Sequence, residues 1–186
     1  MSRALRIVAT AFVACIIQTT LVGYIRIAGV APDMLIVFLV LLTGYTGAYG
    51  GFCTGSVMAM LYDASVGYVL AINLVAYTFI GWAAPMLRSA MNKKLRKMKH
   101  KSVLEMMLIC FFLTLMREIL YIGYLFLIGS EQGFITVVRM LLCSAYSAVM
   151  ILPGSLVMRV IMRAFKGKKN RPGDLEEEDV VTEIYR

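Results

Sequence analysis

Asp33, Asp63, Arg117, Glu118 and Arg139 lie inside or at the edges of long apolar runs. Charged groups in such surroundings can lock helices together, line a polar cavity, or, as two aspartates sharing a proton, cleave peptide bonds. The last does not suit this pattern, which puts Asp33 and Asp63 at outer ends without a shared buried site. There is no HExxH, no plausible Ser-His-Asp set and no GxxxxGK[ST] loop, so no catalysis is expected. Neither a metal nor another cofactor is expected: Cys15, Cys53, Cys110 and Cys143 show no CxxC spacing, and the single histidine, His100, sits among lysines.

An unpaired charge deep in an apolar helix costs on the order of 3 kcal/mol, so Arg117, Glu118 and Arg139 must face protein or a cavity. Measured from a common outer surface, Glu118 and Arg139 differ by about one and a half turns, which makes them candidate partners. Asp63 is a second candidate partner for Arg139. Adjacent residues diverge on a helix, so Arg117 and Glu118 are not expected to satisfy each other fully. Two arrangements are open: an ionic lock, or an outward-opening polar cavity lined by Asp63, Glu118 and Arg139. Asp33 follows Pro32 and reads as a cap in the first turn of a helix.

The elements that carry these residues are apolar helices. Of 186 residues 60% are hydrophobic and 16% charged, and the mean hydropathy is +0.79. That composition implies an all-α polytopic membrane protein with about six transmembrane helices over residues 1–165 and a charged tail, expected to be disordered, over 166–186. The spans expected are Ala4–Tyr24, Met34–Thr43, Phe52–Tyr62, Tyr68–Leu87, Val103–Ile128 and Phe134–Met162, the last kinked at Pro153. The second and third are short, and a single fused helix would be the alternative. Charge decides against fusion, because it would put Arg3 and Arg6 opposite the basic cluster of Lys93, Lys94, Arg96, Lys97, Lys99 and Lys101. A turn within the glycine run keeps both basic groups on the cytoplasmic side, with both termini there. The net charge of +8 is thus a topological signal and a surface for anionic membrane lipid, with no nucleic acid implied.

Gly47, Gly51, Gly55 and Ala59 recur at every fourth residue and form a small-residue stripe that lets another backbone come close. The stripe leads to Asp63, read as the start of an outer turn. Gln18, Thr19, Thr20 and Asn73 are short polar groups expected to bond to neighbouring helices, and the four cysteines are expected to be small buried hydrophobes.

The order Gln18-Thr19-Thr20-Leu21, then Pro32-Asp33-Met34-Leu35, then glycines through Gly51 and Gly55 to Leu61, Asp63 and Gly67, resembles the MreD family of rod shape-determining proteins. The resemblance covers Ala4 to Met162. It implies a non-enzymatic subunit of the bacterial cell-elongation machinery in the inner membrane. Such a subunit binds the bitopic protein MreC and helps connect MreB filaments to the polymerase RodA and its class B penicillin-binding partner. By resemblance Pro32, Asp33 and Asp63 are family-type positions, whereas Asp174–Arg186 lies outside the pattern. The alternative is a substrate-binding membrane subunit of an energy-coupling-factor vitamin transporter, a small six-helix protein expected to share the fold. Such a subunit should offer polar and aromatic outer loops, and here those loops are brief, with little beyond Arg26, Asp63 and Glu131.

Overall fold

A computed structural model describes residues 3–27, 29–66, 70–94, 101–129 and 133–164. Among them the fold is all-helical, with a single isolated bridge between Ile27 and Val30. Helix α1 (Arg3–Ile16) continues into a π-helical turn (Ile17–Leu21) and is followed by α2 (Met34–Val66), α3 (Leu70–Lys94), α4 (Lys101–Leu127), α5 (Phe134–Val149) and α6 (Ile151–Ala164). By length and composition, α2 is long and apolar enough to cross a membrane, and α5 with α6 also qualifies if that bent pair is one span.

Helix α2 is in fact two arms. Gly47 has φ 71° and ψ −172°, a conformation essentially confined to glycine. The contacts on either side show that the chain doubles back there. In a straight helix Thr43 and Gly51 would be about 12 Å apart along the axis, yet a Cβ on Gly51 would lie 2.8 Å from Cγ2 of Thr43. Along α3, Asp33 meets Tyr77 and Gly44 meets Arg88, so arm 34–46 runs parallel to α3. Gly51 meets Gly81, Gly55 meets Tyr77 and Asp63 meets Asn73, so arm 48–66 runs antiparallel to it. The turn expected in the glycine run is therefore present, compressed to one residue.

The stripe is used unevenly. Cβ atoms at Gly51, Gly55 and Gly81 would strike the backbone carbonyls of Gly81, Tyr77 and Gly51 respectively, so these helices touch backbone to backbone, and Ala59 is buried. Gly47 corrects the reading, because a Cβ there would meet nothing within 4 Å. Its conformation matters, and it packs nothing.

Every residue from Met34 to Thr43 is buried, as befits a helix that is apolar on all sides. This arm is the axis of the bundle. Arm 48–66, α3 and α4 surround it, and α6 closes over it, with Gly154 giving room to Val37. Pro153 cannot donate to residue 149 and its ring crowds that carbonyl. The chain accordingly breaks at Met150, bending α6 by 42° from α5. Of the cysteines, Cys15 and Cys110 are buried and Cys143 half-buried, but Cys53 is exposed, against expectation. Lys93 and Lys94 end α3 and Lys101 begins α4. Arg96, Lys97, Lys99, His100 and the tail lie outside the described residues.

Three glycine substitutions should separate these roles by thermal unfolding in detergent. Gly47→Ala is expected to cost about 1–3 kcal/mol through backbone strain. Gly51→Leu should disrupt assembly outright, since the side chain meets the Gly81 backbone. Gly123→Ala, in open space on α4, should instead stabilise by about 0.5–1 kcal/mol.

Candidate functional site: a buried ionic node

The start of the axial arm is built from polar groups that its own sequence requires. Pro32 fixes the entry into the helix, and Asp33 caps it, its Oδ1 accepting the Ile36 N–H at 3.1 Å. Two further N–H groups of this helix start are taken by other elements. Met34 donates to Gln18 Oε1 at 2.7 Å, and Asp33 donates to Ser147 Oγ on α5 at 2.8 Å. Gln18 thus bonds to a facing helix, as expected, from within the π-helical turn, a distortion frequent at functional sites. Thr19 and Thr20 instead return to carbonyls of their own helix.

The second carboxylate oxygen of Asp33 carries the rest. Tyr77 Oη donates to it at 2.8 Å, and Arg117 Nε stands 3.8 Å away. The guanidinium of Arg117 also donates to Glu118 and lies over the rings of Tyr77 and Tyr121, 5.8 and 5.7 Å from their centroids. One residue therefore joins α2, α3 and α4 through its carboxylate and α5 through its backbone N–H.

The position of Asp33 departs from expectation. At about 1.5 Å per residue, Tyr77 is about 10 Å along α3 from Leu70, Arg117 about 15 Å along α4 from Leu127, and Ser147 about 20 Å along α5 from Phe134. Asp33 is 4% exposed and sits deep between the helices. The segment before it, exposed at Tyr24 and Ile27, runs alongside α5 and is held to it: Tyr146 Oη donates to the Ile25 carbonyl at 2.8 Å, Cys143 to that of Ala31 and Arg139 to that of Gly29 at 3.2 Å.

Arg139 and Glu118 are thus not partners. The segment before Asp33 lies against Arg139 and supplies its acceptor, while Glu118 turns to its sequence neighbour Arg117, whose guanidinium, as expected, is not satisfied by it alone and also stands against Asp33. Long side chains bring those neighbours together on α4. Asp63 also differs: it lies in the last turn of α2, not in a loop, and is 2% exposed. Asn73 Nδ2 donates to its Oδ1 at 2.8 Å, the interhelical bond anticipated for Asn73. Its Oδ2 is buried without a hydrogen-bond partner among the described residues. Neither Asp63 nor Glu118 pairs with Arg139, so the three do not converge as lining of one cavity.

Tyr77 and Ser147 are the node residues that the sequence reading missed. Tyr77 had a signal: Asn73, Tyr77 and Gly81 recur every fourth residue on α3 and face Asp63, Gly55 and Gly51. Its backbone rests against Gly55 while its hydroxyl reaches Asp33. Ser147 had none, since a serine in an apolar run usually bonds within its own helix.

Comparisons with protein families, curated proteins and solved structures give no match to this chain.

Asp33→Ala removes the helix cap and the acceptor of the buried Tyr77 hydroxyl and leaves Arg117 with Glu118 alone, so it should cost about 3–5 kcal/mol. Tyr77→Phe should cost about 1–2 kcal/mol, one hydrogen bond to a charged group. Chemical denaturation of Asp33→Ala, Arg117→Leu and their double variant checks the node: the double should be less destabilised than the sum of the singles.

Proposed function

We propose that this chain is a multi-pass scaffold of the bacterial inner membrane, a non-enzymatic subunit of the cell-elongation machinery that binds an MreC-like bitopic protein. Through that partner it would serve MreB, RodA and a class B penicillin-binding protein in peptidoglycan synthesis and cell shape. One observation carries the reading: the residues of the MreD-like pattern are the ones on which the bundle is built. Gln18 and Asp33 form the node, Gly51 and Gly55 form the backbone contact, and Asp63 holds Asn73.

The distribution of polarity supports a lipid setting. Side chains facing outward are apolar along each helix, among them Phe12, Met60, Val75, Phe112 and Leu142, while Asp33 and Asp63 are buried. A surface of that kind in water would be an aggregation hazard; in hydrocarbon it is the favourable face. Six helical segments then lie within the layer, α1 with its π-helical turn, the two arms of α2, α3, α4, and α5 with α6, and arm 34–46, which begins at the buried Asp33, traverses only part of it. The basic ends at Arg3, Lys94 and Lys101 fall on one side, which the positive-inside rule makes cytoplasmic. The polar groups of the node are engaged with one another and with helix ends, an arrangement suited to holding shape.

Purification of the tagged chain from its own membranes in mild detergent, followed by mass spectrometry, tests the proposal. Recovery of an MreC-like protein with elongation enzymes is expected, and Asp63→Asn should insert normally yet retain less of that complex. Recovery of paired ATPases with a coupling subunit would overturn it in favour of a vitamin-transporter subunit.

A further inference from the structure

At the end of arm 48–66 remote from the Gly47 turn, an acid is buried with half of its carboxylate unanswered. Asp63 is 2% exposed, yet Ala64, Ser65 and Val66, which follow it and end α2, are all exposed. Asn73 Nδ2 takes Oδ1, whereas Oδ2 receives no hydrogen bond. Nor does a cationic side chain pair with it, since the ion pairs among the described residues are those of Arg117 with Asp33 and Glu118. An unmet polar atom at such burial costs about 1–3 kcal/mol, and more when it is charged.

The backbone adds to the deficit. Asp63 stands in the last turn of α2, where carbonyls lack intrahelical donors and the helix dipole is negative. No basic side chain occupies that turn. Acid and helix end therefore place negative charge beside negative charge, the reverse of the favourable arrangement. The hydroxyl within the turn does not relieve it, because Ser65 Oγ donates to the Leu61 carbonyl at 2.7 Å.

Size and charge decide what can answer both deficits. Asp63 is too deeply buried to meet a side chain of another protein, but a small cation needs only the short passage from the exposed helix end. The donors on offer are oxygens: Asp63 Oδ2, the carbonyl oxygen of the Asn73 amide, and the main-chain carbonyls that close α2. Helix C-terminal ends and free carbonyls of this kind suit sodium. One carboxylate among neutral oxygens balances a single positive charge, whereas calcium draws on several carboxylates. Among the described residues no group of three His, Cys, Asp or Glu side chains is placed to hold a metal ion, so a transition metal has no ligand set here.

We propose that Asp63 and the C-terminal turn of α2 bind one monovalent alkali cation, for which sodium is the probe. The ion neutralises the acid and the helix end together and, through Asn73, fastens arm 48–66 to α3. Its binding requires no partner protein.

The test uses the full chain in nanodiscs of phosphatidylcholine, whose zwitterionic surface does not concentrate cations. Binding of radioactive sodium is measured directly, and thermal unfolding is compared in sodium chloride and choline chloride at equal ionic strength. Wild type should bind sodium saturably. At about a hundredfold excess over Kd its unfolding midpoint should rise by roughly 5–10 °C over that in choline. Asp63→Asn should lose both responses while keeping its helix content in choline. Asn73→Asp adds a second carboxylate, so calcium should displace sodium from that variant but not from wild type; this decides the matter if Asp63→Asn does not fold. Absence of saturable binding by wild type, undiminished binding by Asp63→Asn, or indifference of Asn73→Asp to calcium would overturn the proposal. These outcomes are independent of whether elongation enzymes co-purify.

Discussion

A helix that is apolar on all sides still begins with unpaired N–H groups, and when it begins deep in a bundle no bulk water can meet them. That constraint sits at Asp33. The carboxylate caps its own helix with one oxygen and uses the other to take Tyr77 and the charge of Arg117. Gln18 and Ser147 are recruited from before and after to take two further donors. Burial of ten consecutive residues behind the cap is possible because the cap is complete, and the guanidinium is tolerated at that depth because the acid is there.

The second organising contact is geometric. Gly51 and Gly81 place their carbonyls against each other's α-carbons, and the Tyr77 carbonyl stands against the α-carbon of Gly55. This reciprocal contact fixes arm 48–66 on α3 and so sets where Tyr77 stands. A hydroxyl on a helix that had been held a side chain's width further away would not reach Asp33. Packing by small residues and satisfaction of the node are therefore one design, linked through the backbone and side chain of the same tyrosine.

Much of this was legible in the sequence because it rests on local chemistry or on coarse charge. Pro32-Asp33 announced a cap, the four-residue spacing of glycine announced close packing, Pro153 announced the bend, and the placement of lysines required a reversal between residues 43 and 52. Depth was not legible. Counting residues from loop to loop assumes that loops lie beyond the helix ends, and the segment before Asp33 instead runs alongside α5. That one departure displaced Asp33 from the rim to the interior and gave Arg139 a carbonyl in place of an acid. It also left Glu118 to its neighbour. Gly47 was misread for a related reason: spacing reports which glycines share a face, but not which one carries a positive φ.

The axial arm is made early and covered late. Val37 meets Gly154 across more than a hundred residues of intervening chain, and Ile151 and Met158, buried on the same helix, belong to the final element described. During synthesis, residues 34–46 must therefore persist with one flank uncovered until α6 has left the ribosome. Contacts so distant in sequence form slowly. The reversal at Gly47 shortens that exposure on the other flank, because arm 48–66 follows at once and shields the axis while the remaining helices are still being made.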